Sequence, residues 1–237
     1  MRIFKVIIAM IAIASLTTTA INAEAVKKGI KMPKDFRTVP AIQAQILQSG
    51  EQKKYCPKCG MTLSMFYRTN HAATVDGKVQ QFCSIYCMVE AMHAGAKVTD
   101  IRVVDNTSLK FIDATRASYV VGSSKPATMA ANISKYAFAD KSKAEEFAKK
   151  FGGKVMSYAD TLARAKADYE KDTAKKLMRQ AKGAKKGKML YEKKCKPITK
   201  KFATVSEAKA YIKASNSCGD LKGKSLQAVG LYLKDIK

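Results

Sequence analysis

Four cysteines in two tight pairs constrain this chain more than anything else in it. Cys56-Pro57-Lys58-Cys59-Gly60-Met61 is followed, after 23 residues intervening from Cys59, by Cys83-Ser84-Ile85-Tyr86-Cys87-Met88. A C-x2-C and a C-x3-C this close must either converge on one metal or pair oxidatively, and both options need a compact frame between them. Ala72 to Phe82 supplies that frame as two short strands across an Asp76-Gly77 turn, a pairing that favours a hairpin. Ser84 then caps a helix whose apolar residues Ile85, Met88, Val89 and Met92 fall on one side. The result is a β-β-α unit with sulfur at both ends.

A second, degenerate β-β-α unit is expected from Ile101 to Val104, a turn at Asp105-Asn106, Leu109 to Ile112 and a short helix over Ala114 to Val121. Asn132 to Phe138 alternates as a strand. Ser142 to Phe151 reads as a helix closed by Gly152-Gly153, and Lys154 to Met156 as a final strand. From Tyr158 to Ala181 the chain lacks Gly and Pro, which predicts a long cationic helix. Lys182 to Lys188 reads as a linker, and a small module with helices over Ala208 to Ala214 and Leu226 to Leu233 follows. The fold class is therefore α+β: two β-β-α units with a knuckle-like cysteine site, then a long basic helix and a small helical C-terminal module. The expected segments are 1–25 (signal peptide), 26–54 (flexible lead-in with Pro33 and Pro40), 55–165 (core domain), 166–188 (basic helix and linker) and 189–237 (helical module).

The first 25 residues have the order of a secretory signal peptide: basic Arg2 and Lys5, an apolar run from Val6 to Leu16, and small residues up to Ala23-Glu24-Ala25. Export to a periplasm is expected, and with no cysteine at the junction a lipoprotein is not. Outside the cytoplasm thiols end as disulfides unless a metal or a reductant holds them. The formal charge is +25, and residues 166–237 carry twenty Lys/Arg against seven Asp/Glu. Export argues against nucleic acid as the partner of this basic surface. An anionic membrane face or an acidic protein fits it, beside the plain reading of lysines solvating helix faces.

Three chemistries suit Cys56, Cys59, Cys83 and Cys87, and spacing alone leaves all three open. They are a tetrahedral structural zinc site, disulfides stapling the unit, and a Cu(I) site that adds thioether donors. Met61 in the Cys-Gly-Met turn is the foremost thioether, with Met88 and Met129 behind it. Of the two histidines, His71 is the better candidate ligand than His93, because it precedes the hairpin and lies close in sequence to the Cys-Gly-Met turn. No nucleophile elbow, phosphate loop, dinucleotide fingerprint or paired-carboxylate motif occurs, so neither an enzyme nor a small-molecule substrate is expected.

Tyr55 to Met61, Asp76-Gly77 through Met88, Phe111-Ile112-Asp113-Ala114 with Ala117, Tyr119, Val120 and Gly122, and Ala139 to Met156 together resemble the NosL family, the nitrous oxide reductase accessory proteins. The resemblance covers about residues 50–165. It implies a periplasmic Cu(I) chaperone of two β-β-α units that helps supply copper to nitrous oxide reductase. It also implies a copper-holding role for Cys56, Cys59 and Met61, and more loosely for Met129. Three departures matter. The lipidated cysteine usual in the family is missing. Cys83 is additional to the usual element and makes the site resemble four-cysteine TRASH/YHS knuckles, which keeps zinc as the alternative metal. The C-terminal extension lies outside the resemblance. Within it, Gly187 to Cys195 and Gln227 to Leu233 faintly resemble the terminal helices of small c-type cytochromes, but no C-x-x-C-H is present to attach haem. A Cys195–Cys218 disulfide stapling this module is the preferred reading. The competing functions are a four-cysteine zinc-knuckle structural or interaction module, and a thiol-disulfide exchange protein using Cys56-Pro57-Lys58-Cys59.

Overall fold

Asp76 and Gly77 both adopt positive φ (48° and 81°), as a two-residue hairpin turn requires, and so pair β1 (His71–Val75) with β2 (Lys78–Phe82). The computed structural model describes residues 33–128 and 131–235; the signal segment and Met129 lie outside the described residues. Ser84 stands at the N-cap of α1 (Ile85–His93), although its hydroxyl makes no capping bond. The first β-β-α unit is formed as the sequence reading expects.

The next two strands do not open a second unit. β3 (Val98–Val104) pairs antiparallel with β1, and β4 (Phe111–Asp113) with β3, giving one antiparallel sheet in the order β2-β1-β3-β4. The helix expected over Ala114 to Val121 is instead a single 3-10 turn (Ala114–Arg116), capped by the Asp113 carboxylate, followed by β5 (Ser118–Val121). The reason is burial on both faces. Tyr119 and Val121 point into the main core while Val120 packs with Tyr136 and Phe138 on the other side, a pattern that suits a central strand of aromatic and β-branched residues. β5 is the middle strand of a second antiparallel sheet, between β6 (Lys135–Phe138) and β7 (Lys154–Met156). With α2 (Lys141–Phe151), β5 and β6 form the second β-β-α unit, later in the chain than expected. Asp105 joins the two sheets: its carboxylate accepts from the backbone N–H of Thr107, Ser108 and Ala139.

The described part of the lead-in is packed rather than free. Val39 is buried with Tyr67 and Val104, Phe36 stacks edge-on against Tyr136, and Gln48 and Leu47 exchange hydrogen bonds with Gln81. Two aromatic and aliphatic anchors outweigh the local effect of Pro33 and Pro40.

The expected long helix is two. α3 (Tyr158–Ala167) ends at Asp168, whose carboxylate is held by Arg164 at 2.9 Å, and α4 begins at Tyr169. α4 (Tyr169–Lys194) runs straight through the stretch read as a linker. Gly183 and Gly187 do not break it; they are notches against the last helix, α6 (Gly223–Asp235). A Cβ at Gly187 would collide with the Ala228 carbonyl and come within 3.0 Å of Tyr232 Cβ. Between them α5 (Val205–Ser215) is held at its start by a reciprocal Thr204–Glu207 capping box. The C-terminal module packs Phe202, Ala208, Ile212, Leu226 and Val229 around Tyr55, and a Cys195–Cys218 disulfide closes it.

Alanine favours a helix over glycine by up to about 1 kcal/mol, whereas overpacking a tight contact costs about 1–3 kcal/mol. Gly187→Ala should therefore lower the thermal midpoint measured by circular dichroism; a raised midpoint would contradict the close approach of α4 and α6.

Candidate metal centre

The turn around Cys56 is drawn tight by backbone bonds. Cys56 N–H donates to the Met61 carbonyl at 2.9 Å, and Gly60 N–H donates to the Cys56 carbonyl at 2.8 Å. Gly60 supplies the positive φ of 70° that closes the knuckle. Both its cysteines then face the start of α1, where Cys83 precedes the N-cap and Cys87 lies in the first turn.

All four sulfurs lie within 4.8 Å of one another, and each cysteine is free and fully buried. Cys59 and Cys83 are 3.4 Å apart, Cys83 and Cys87 3.7 Å. A tetrahedral ion about 2.3 Å from four sulfurs needs them roughly 3.8 Å apart, so the donors already stand near ligation distance. The structure thus holds them as free thiols, not as the disulfides that spacing also allowed.

The thiols share protons unequally. Burial opposes ionisation of Cys56, but hydrogen bonds from Cys59, Cys83 and Cys87 outweigh it and hold its thiol well below the usual value. Burial pushes Cys83 and Cys87 well up and Cys59 up, because the donors to Cys56 must keep their protons. Cys56 is thus the sulfur most readily ionised, and the soft cluster around it suits a metal cation.

Of the residues expected around the cysteines, the structure brings some close and leaves others away. Met61 closes the knuckle next to Cys59 and is half-buried against the core. Met88 is fully buried in the same core cluster as the cysteines. His71 is not brought to the sulfurs. Its Nδ1 donates to the Thr69 carbonyl (3.1 Å) and its Nε2 accepts from the Tyr119 hydroxyl (3.2 Å), so the lone pair a metal would use is taken. His93 stacks on Tyr169 with ring centroids 4.0 Å apart. A redox C-x-x-C needs an accessible thiolate opening a helix; here the motif lies in a buried turn followed by a 3-10 segment.

A cavity of about 290 Å³ reaches Cys59 and Met61, walled by Met65, Phe66 and Leu231 and by Lys176 and Lys224. Its far wall is α4 and the C-terminal helices. Lys176 pairs with Glu90 of α1, and Tyr86 hydroxyl meets Thr173 at 2.8 Å, fixing α4 beside the centre. Sequence reasoning missed two residues of the C-terminal helices that hydrogen-bond the knuckle. Lys209 Nζ donates to the Gly60 carbonyl at 2.5 Å, and Gln227 Nε2 to the Cys59 carbonyl at 2.9 Å. Burial lowers the Lys209 ammonium to about 7, while the charges of Cys59, Cys56 and Cys83 pull it back up. Its only local signal is the spacing Val205, Lys209, Ile212, which puts a lysine on the buried stripe of α5.

Residues 48–165, about half of the chain, match the NosL family. The crystal structure of the copper chaperone NosL from Shewanella denitrificans is 26% identical over 51% of this chain and 96% of that one, with a TM-score of 0.37. No curated protein matches.

Two outcomes follow from the site. Unfolded without reductant, the metal-free protein should yield four thiols to Ellman's reagent, those of the cluster, while the folded protein reacts slowly; six would remove the C-terminal disulfide. Burial lowers His71 to about 4, below the roughly 6.5 of an unfolded chain. The unfolded state therefore binds the proton first, and stability present above about pH 6.5 is lost as pH falls towards 4, by up to about 3 kcal/mol. His71→Gln should flatten that part of the stability–pH curve while leaving metal uptake in place.

Proposed function

The chain belongs to the NosL family through residues 48–165, and from that premise we propose that it is an exported metallochaperone that binds Cu(I) and passes it on by ligand exchange. Membership and the four-cysteine cluster support a metal-binding chaperone role. Copper as the cargo, nitrous oxide reductase or its assembly machinery as the recipient, and a periplasmic, non-lipidated location are the finer parts of this reading.

The observation that carries it is the convergence of four free, buried thiols beside a cavity that also reaches Met61. Soft donors keep copper monovalent, and no electron need move. Each thiol that binds gives up its proton; each that an incoming donor displaces takes one back. In this reading Met61, which lines the cavity, holds the ion while cysteines exchange for a recipient's ligand. This is binding and transfer, with no covalent change to a substrate. The outer face of α4, with Lys171, Lys182 and Lys185 exposed around Met178 and Met189, suits docking on an acidic partner protein or an anionic membrane face.

Zinc remains the second reading, because four sulfurs this evenly gathered also fit a closed tetrahedral site. Protein isolated from a periplasm and titrated anaerobically against a Cu(I) chelator separates the two. Sulfur-dominated copper coordination is expected in X-ray absorption, with affinity at least about tenfold lower in Cys59→Ser and weaker in Met61→Ala. One tightly held equivalent of zinc, unmoved by Cu(I), would replace the copper reading.

A further inference from the structure

The Lys209 amine is buried with no carboxylate among its described hydrogen-bond partners. Its side chain is 1% exposed, and its three hydrogen-bond partners are all neutral: the Gly60 carbonyl at 2.5 Å, Gln227 Oε1 at 2.9 Å and Thr62 Oγ1 at 3.3 Å. The Tyr55 ring lies 4.2 Å beneath the ammonium. Taking an ammonium out of water is costly unless an opposite charge compensates it. The backbone it holds is that of the cysteine knuckle: Gly60 stands between Cys59 and Met61, and Gln227 also binds the Cys59 carbonyl.

The placement is built, not incidental. The Lys209 stem passes over Gly230, where a Cβ would come within 2.8 Å of Lys209 Cγ. Gly60 in turn lies against Val205, one turn before Lys209, with Val205 Cβ 2.6 Å from where a side chain would begin. Gln227 binds Lys209 through Oε1 and the Cys59 carbonyl through Nε2, so one amide ties the cation to the knuckle. Val205, Lys209, Gln227 and Gly230 all lie beyond residue 165, outside the family domain.

We propose that Lys209, oriented by Gln227, is the fixed counter-charge of the metal-loaded centre, so that the C-terminal helices complete the site electrostatically. Two thiolates around a monovalent ion leave one net negative charge, and every further thiolate adds another. A cation held behind the Cys59–Gly60 peptide offsets that charge in a low-dielectric surrounding, where it acts strongly. Lys209 is thus a positioning and charge-compensating residue for the cargo, and it does not ligate it. The inference rests on the reading of the cluster as a metal site.

The test compares the full chain with K209M, K209R and Q227E, by competition for Cu(I) against a chromogenic chelator and by thermal melts of the metal-free proteins. K209M should bind at least about tenfold more weakly while its metal-free form melts no lower than wild type, since an apolar side chain of similar length replaces a desolvated charge. K209R, which keeps the charge, should stay within about threefold of wild type. Q227E places a carboxylate against the ammonium, cancels its field and should also weaken binding, which keeps the test open if K209M does not fold. Wild-type affinity in K209M, or in Q227E, overturns the proposal. So does an equal loss in K209M and K209R with lowered metal-free melting, which would make Lys209 a packing residue. If wild type itself takes up no metal, it is the metal-site reading that fails.

Discussion

Four thiols must fill the centre of a core and still be able to ionise, and the architecture is arranged around that demand. Cys56, Cys59, Cys83 and Cys87 share a single buried cluster with Leu63, Phe82, Ile85 and Met88. Protonated, a cysteine behaves as a small apolar side chain, so the centre can stand metal-free without collapsing. Ionised, the same atoms become ligands. The hairpin, the knuckle and α1 exist to hold two pairs of sulfurs at contact distance, and the second sheet and α3 close the remaining side of that core through Tyr119, Val121 and Ala165.

The part of this that sequence spells out is the part written in local chemistry. The Asp76-Gly77 turn, the apolar stripe of α1 and the cysteine spacing are short-range signals, and they locate the first β-β-α unit and its sulfurs. β5 escaped because Tyr119-Val120-Val121 is apolar on both sides, which reads equally as helix or as central strand until the second sheet is seen. Gly183 and Gly187 misled for a related reason. A glycine that weakens a helix in isolation can be retained for the neighbour it admits, here α6. His71 looked like a ligand by proximity in sequence; its ring is committed to Thr69 and Tyr119 across the core. Lys209 was lost among forty-four Lys and Arg, its one local cue a place on the apolar stripe of α5; its tertiary partners 147 to 149 positions away single it out.

The region beyond residue 165 is consequently more than a basic tail. α4 is tied to α1 by Lys176–Glu90 and Tyr86–Thr173, and α5 and α6 press on the knuckle through Val205, Lys209 and Gln227. One face of this region carries exposed lysines suited to encounter, while the opposite face contributes a desolvated lysine to the interior.

The Cys195–Cys218 bridge sits in the same chain as four thiols that must stay reduced. Six cysteines admit fifteen complete pairings, and only a partial one, a single bridge, leaves the cluster usable. Burial protects the four only once the hairpin and α1 have closed, whereas the two C-terminal cysteines are the last of the six to be synthesised. Oxidation that arrived before that closure would scramble the set. The order of events therefore matters: the four sulfurs must be folded away before an oxidant closes the bridge at the other end.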